Sequence, residues 1–308
     1  MVDNAAPPIV IESEDAGGGQ FVTREIQTDA GPRHYKVYIP SSYDGSSAMP
    51  LVVVLHGCTQ DPDNVARGTR FNEVAEESKV IVAYPEQPAA FNGLKCWNWF
   101  DAAHQKRDQG EPALIAGITR QVMNDLKVDS RRVYIVGLSA GAAMALSVSY
   151  AYPEIFAATG LHSGIAYGIA KNTSEAIRRM GAGATDPTDY AAAVVQGIGA
   201  NKPIPTIVFQ GKSDKTVNPA NADNIVTQLT TGFAESDLKS RTESSGVTAQ
   251  GFHFTKRVFG NPSLIEQWSV DELAHAWSGG SKEGTYTDER GPDATREIMR
   301  FLLEHKLA

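Results

Sequence analysis

The segment whose residue types and spacing speak most directly of chemistry is Gly137-Leu138-Ser139-Ala140-Gly141. It is a G-x-S-x-G sequence set between an apolar run, Val133 to Val136, and a small-residue stretch that begins at Ala140. A serine on a tight strand-to-helix turn projects its hydroxyl off the end of a sheet, and flanking glycines relieve the crowding that such a turn creates. The dipole of the following helix favours an anion developing beside it. The competing reading, a chance occurrence in a loop, is countered by the strand-like and helix-like flanks.

A serine hydroxyl is a weak nucleophile at neutral pH and needs a base, for which histidine is the first candidate. Of the seven histidines, His34, His104, His162, His253 and His305 carry no motif and read as structural or surface residues, and His56 reads as structural. His275 stands in Ala274-His275-Ala276-Trp277-Ser278-Gly279-Gly280, directly after the apolar run Leu264 to Val270, where the order Ser, Asp, His places a base. The acid belongs on a loop after a strand between serine and histidine. Asp214 follows Thr206-Ile207-Val208-Phe209-Gln210-Gly211 and fits that place; Asp223, inside an expected helix, and Asp271, close to His275 only in sequence, are the alternatives. A tetrahedral intermediate also needs backbone N–H donors. Ala140, just after the serine, supplies one, and His56-Gly57-Cys58-Thr59-Gln60 supplies another at Cys58 or Thr59. Cys58 as a nucleophile is a rival without a paired histidine.

These residues need a scaffold. Phe21 to Ile39 reads as a hairpin around Asp29-Ala30-Gly31-Pro32, and Leu51 to Leu55 as a continuous apolar strand. After it, helix and strand alternate: helix 67–78, strand Val80 to Ala83, helix Pro112 to Leu126, strand Val133 to Val136, helix Ala140 to Tyr150. Strands follow at Ala158 to Leu161, Thr206 to Phe209 and Leu264 to Val270, with a last amphipathic helix over Ala294 to His305. Strict alternation implies an α/β fold, a mostly parallel central sheet covered by helices on both faces. Residues 1–20, rich in Ala, Pro, Gly and acids, read as a flexible arm, and 21–308 as one catalytic domain. The Ala- and Gly-rich stretch at about 165–203 reads as a small cap insertion.

Composition narrows the partners. The chain has 308 residues, 42% of them hydrophobic, enough for a large core, and a net charge of −8, which disfavours nucleic acid and anionic membrane surfaces. No run reaches the roughly 18 apolar residues of a membrane helix. Met1-Val2-Asp3-Asn4 opens without a basic, then apolar, signal, and the oligomeric state is left open. The two cysteines, Cys58 and Cys96, exclude a four-thiolate zinc site; they read equally as free thiols or one bridge.

In combination, His56-Gly57-Cys58-Thr59-Gln60, Cys96-Trp97-Asn98-Trp99-Phe100, Gly137-Leu138-Ser139-Ala140-Gly141, Gly211-Lys212-Ser213-Asp214-Lys215-Thr216-Val217 and His275-Ala276-Trp277-Ser278-Gly279-Gly280 resemble the signatures of polyhydroxybutyrate (PHB) depolymerase esterases, relatives of feruloyl and acetylxylan esterases. The resemblance runs from about Arg33 to the C-terminus. It implies the α/β-hydrolase fold, ester hydrolysis through an acyl-enzyme on Ser139, Asp214 and His275, Cys58 and Ala140 as oxyanion donors, and neither metal nor organic cofactor. It further implies a Cys58–Cys96 bridge, hence an oxidising compartment, secreted or periplasmic, for a chain whose leader has been removed. The substrate it implies is a short-chain hydroxyalkanoate polyester or oligomer, with a feruloyl or acetylxylan ester as the alternative; a non-catalytic protein on the same fold would have lost a triad member. Trp97 and Trp99 read equally as core or pocket, and Trp277, two residues after the expected base, as pocket.

Overall fold

The computed structural model describes residues 11–13, 18–29, 31–184, 204–231, 238, 241–260 and 263–308. The first continuous apolar run of the sequence forms β4 (Met49–Leu55), in which every residue is buried. Alternate side chains leave a strand on opposite faces. Leu51, Val53 and Leu55 accordingly enter one core, while Val52 and Val54 enter a second on the other side.

Beside β4 lie β5 (Ile81–Pro85) and β6 (Val128–Leu138), followed by β7 (Ala158–His162), β8 (Thr206–Gly211) and β11 (Ile265–Val270). The six strands β5-β4-β6-β7-β8-β11 are parallel neighbours. One flank is antiparallel, β1 (Ile11–Ser13), β2 (Gln20–Thr28) and β3 (Gly31–Ile39) leading into β5. The other flank is the antiparallel pair β9 (Arg241–Val247) and β10 (His253–Phe259), with β10 on β11. The fold is therefore α/β with a large, mostly parallel sheet, as the alternation implied. Within the expected N-terminal arm, residues 11–13 pair with β2 and extend the sheet edge, so this part is strand. A two-residue pairing of β12 (Trp277–Ser278) with β13 (Thr287–Asp288) was not foreseen.

Seven α-helices are described: α1 (Pro62–Thr69), α2 (Phe71–Ser78), α3 (Gly110–Asp125), α4 (Ala140–Ala151), α5 (Thr173–Ala182), α6 (Ala220–Thr231) and α7 (Ala294–Leu303). Side chains of α3, α4 and α6 pack into one core; those of α1, α2 and α7 pack into the other. Where one helix was expected over 67–78 there are two. Arg70 adopts left-handed backbone (φ 59°), ending α1, and Asp61 caps its start by accepting the Asn64 N–H at 3.0 Å. Among the described residues no helix is long and apolar enough to cross a membrane.

Part of the segment expected as a cap, 165–184, is described, and it contains α5, begun by Asn172 accepting the Glu175 N–H at 2.9 Å. The rest of that expected insertion, 185–203, lies outside the described residues.

Candidate active site

Ser139 follows β6 directly, Asp214 follows β8, His275 follows β11 and Cys58 follows β4, so four loops at the C-terminal edge of the parallel sheet converge. Ser139 has φ 57° and ψ −119°, a strained turn for a residue with a side chain, and its N–H donates to the His162 carbonyl at 2.8 Å. The glycines permit this. A Cβ at Gly137 would collide with the backbone of Gly141, and one at Gly141 with the carbonyls of Leu55 and His56.

The Ser139 Oγ lies 3.1 Å from His275 Nε2, and His275 Nδ1 lies 2.7 Å from Asp214 Oδ2. Because the carboxylate can only accept, the proton of the neutral ring sits on Nδ1 and leaves Nε2 to accept from the serine hydroxyl. Asp214 Oδ1 also accepts the N–H groups of Thr216 and Val217, both at 2.8 Å, and Oδ2 accepts Gln210 Nε2 at 3.1 Å. Burial pushes the Asp214 carboxyl up, but the His275 bond and those two backbone donors outweigh it and hold it below the usual carboxylate range. The carboxylate is thus charged and fixed. Its backbone can reach His275 because Gly211 passes close to the carbonyls of Leu273 and Ala274, where any Cβ would clash.

The alternatives stand elsewhere. Asp223 accepts from Gln267 at 2.8 Å and Asp271 pairs with Lys212 at 2.7 Å. His253 pairs with Glu272, His104 accepts the Glu111 N–H, and His34 is on the surface beside Glu25. His162 is fully buried, accepts the Ser278 N–H at 3.0 Å through Nε2, and burial lowers its pKa to about 3.

The N–H groups of Cys58 and Ala140, which line the same cavity as Ser139, meet no acceptor among the described residues. Thr59, the other donor considered, gives its N–H to the Leu94 carbonyl at 2.7 Å and is not available. Cys58 is bonded to Cys96, with Cα atoms 4.2 Å apart, so it cannot be a thiolate nucleophile.

A cavity of about 410 Å³ holds Ser139, His275, Cys58 and Ala140 in its wall. Trp99 lines it, edge-on to Phe100. The expectation for Trp277 needs correction, and of the two readings left open for Trp97 the structure has the core. Trp277 is completely buried, stacked on His162 at 4.9 Å, with its indole N–H donating to Thr295 Oγ1 at 2.9 Å. An interior partner for the N–H and aromatic neighbours make the core the better place for this ring. Trp97 is likewise interior, its indole N–H donating to the His56 carbonyl at 3.1 Å.

The cavity wall contains residues the sequence did not single out: Leu94, Ala176, Ile177, Met180 and Tyr286. The three from α5 recur at helical spacing behind the capping pattern Asn172-Thr173-Ser174-Glu175, a signal that was readable. Tyr286, whose hydroxyl lies 3.3 Å from that of Thr59, had no pattern to reveal it.

A mostly parallel central sheet with a serine on a strand-to-helix turn, then an acid and a histidine in this chain order, defines the α/β-hydrolase class of esterases. The family described as Esterase PHB depolymerase matches residues 33–246, more than half the chain, and the chain belongs to that family. It is 29% identical to poly(3-hydroxyalkanoate) depolymerase C of Paucimonas lemoignei over 88% of its own length, and spans 65% of that protein. It is 25% identical to feruloyl esterase B of Thermothelomyces thermophilus over 78% of this chain and 82% of that one. In fold it is similar to an acetyl xylan esterase from Aspergillus awamori, with a TM-score of 0.70 at 18% identity, covering 82% of this chain and 93% of the other.

Proposed function

We propose that the protein is a serine esterase that hydrolyses short-chain hydroxyalkanoate polyester or its oligomers through an acyl-enzyme. Ser139 Oγ attacks the ester carbonyl as His275 Nε2 takes its proton, and Asp214 stabilises the resulting imidazolium. The N–H groups of Cys58 and Ala140 bind the oxyanion. His275 returns the proton to the leaving alcohol, and then deprotonates the water that releases the acid and frees Ser139.

The observation that carries the substrate reading is the chemistry of the cavity. Among the described residues no Asp, Glu, Lys or Arg lines it, and its rim bears three of the protein's exposed large apolar side chains: Leu94 (64% exposed), Ile177 (66%) and Tyr286 (45%). Such a mouth suits a neutral, apolar chain laid across it. Outside the triad the polar side chains of the lining are Asn92, Thr173, Thr216 and the Tyr286 hydroxyl, outnumbered by apolar ones, which favours an aliphatic ester chain over a hydroxyl-rich sugar. The Cys58–Cys96 bond supports an oxidising compartment, secreted or periplasmic, as the place of action.

The test is a hydrolysis panel on purified protein: 3-hydroxybutyrate oligomers, amorphous polyhydroxybutyrate, methyl ferulate and acetylated xylan. Release of 3-hydroxybutyrate with little ferulate or acetate is expected. Ferulate or acetate release without hydroxybutyrate contradicts the polyester reading and favours the carbohydrate ester.

A further inference from the structure

The histidine before the oxyanion loop is fully buried and lines no part of the cavity, yet both ring nitrogens are engaged. The Gln87 N–H lies 3.0 Å from His56 Nε2, and Gly57 O lies 2.8 Å from Nδ1. A backbone N–H can only donate and a carbonyl only accept, so Nε2 accepts and Nδ1–H donates. One tautomer is thereby fixed. Burial lowers the His56 pKa to about 4, so the ring stays neutral at working pH.

The carbonyl that receives Nδ1–H shares its peptide plane with the Cys58 N–H. A peptide unit is rigid, so holding the Gly57 oxygen fixes where the Cys58 N–H points. Hydrogen bonding to that oxygen also polarises the amide and strengthens the N–H as a donor. On the other side, Gln60 Oε1 accepts the Gly57 N–H at 2.8 Å, and the Gln60 N–H reaches Gly57 O at 3.3 Å. The ring of contacts closes through the disulfide, because Gln87 Nε2 donates to Cys96 O at 3.1 Å and Cys96 is bonded to Cys58. Trp97 completes it by donating to His56 O.

We propose that His56, seated by Gln87, is a positioning residue of the oxyanion hole, acting through the Gly57–Cys58 peptide and never touching substrate. The inference rests on the serine-esterase reading above. Three variants separate its two bonds. Asparagine at 56 can place an amide N–H where Nδ1 stands, glutamine reaches only toward Nε2, and alanine makes neither bond.

Each variant is assayed on a soluble p-nitrophenyl ester, with active sites counted by an irreversible fluorophosphonate, and its affinity for an alkyl boronic acid is measured, since the Ser139 adduct places an oxygen in the hole. His56→Gln and His56→Ala are expected to lower kcat about 10- to 100-fold, less than the 10²–10³ typical of losing a donor outright. KM should stay within about threefold, and boronate affinity should fall in step with kcat. His56→Asn should recover most of both. Equal losses in all three variants, or a kcat per counted site within about twofold of wild type, overturn the proposal. Should the variants not fold, the wild type with ¹⁵N-labelled histidine decides: the Nδ1–H proton of His56 is expected to move downfield on boronate binding, and an unmoved signal overturns the proposal. A wild type without fluorophosphonate labelling or ester turnover fails the underlying reading instead.

Discussion

At Asp214 every strong acceptor position of the carboxylate is filled, by two backbone N–H groups, Gln210 and His275. Asp214→Asn keeps the shape but loses the charge and the preferred tautomer of His275. It should lower kcat by about 10³-fold or more, whereas Asp223→Asn, which touches Gln267, should leave steady-state kinetics nearly unchanged. The reverse pattern would displace Asp214 from the mechanism. Asp214 was legible because an apolar run ending in Gly211 announces a strand end, and chain order then selects the acid. Trp277 was not legible in the same way. Nearness to His275 in sequence says nothing about the side on which a ring lands, and its placement depended on Thr295 and His162, distant residues that provide a hydrogen bond and a stacking face.

The turn from β6 into α4 tests the elements. Gly137→Ala drives a methyl into the Gly141 backbone, which cannot yield without separating strand and helix. It should give little folded protein, measured as soluble yield and loss of cooperative thermal unfolding; a well-folded variant would contradict the close packing. The Cys58–Cys96 bond closes a loop of sequence separation 38, and its removal as Cys58→Ser/Cys96→Ser should cost about 4 kcal/mol in denaturant unfolding by the chain-entropy account. Strands buried on both faces were plain in the sequence, since β4, β5 and the Ile207-Val208-Phe209 centre of β8 are continuous apolar runs. The β9–β10 hairpin was missed because its strands are largely exposed or half-buried, with no apolar face to impose a period of two. The split between α1 and α2 was missed because Arg70 takes a left-handed turn where no glycine marks it.

Across the whole molecule, two buried neutral imidazoles couple folding to pH. In the folded state His56 and His162 resist protonation until about pH 4 and about pH 3, chiefly through burial. In the unfolded chain they take up protons near 6.5, so below that value the unfolded state binds more protons and is favoured. Stability should therefore be fully present above about pH 7 and fall on acidification towards pH 4, at up to roughly 1.4 kcal/mol per pH unit for each histidine. Denaturant titrations at several pH values check this, and His162→Gln should flatten the slope. The apolar rim makes a separate prediction: Leu94→Ser with Ile177→Ser should weaken adsorption to amorphous polyester, by about 1 kcal/mol per residue, while leaving a soluble short-chain ester nearly unaffected. Ser139 is the centre of the proposed chemistry, and the most direct test of it is the initial rate of 3-hydroxybutyrate oligomer hydrolysis by wild type and Ser139→Ala, with folding checked by circular dichroism. A folded variant slower by about 10³-fold or more is the expected result. A Ser139→Ala protein that keeps the wild-type rate would contradict the serine-esterase mechanism.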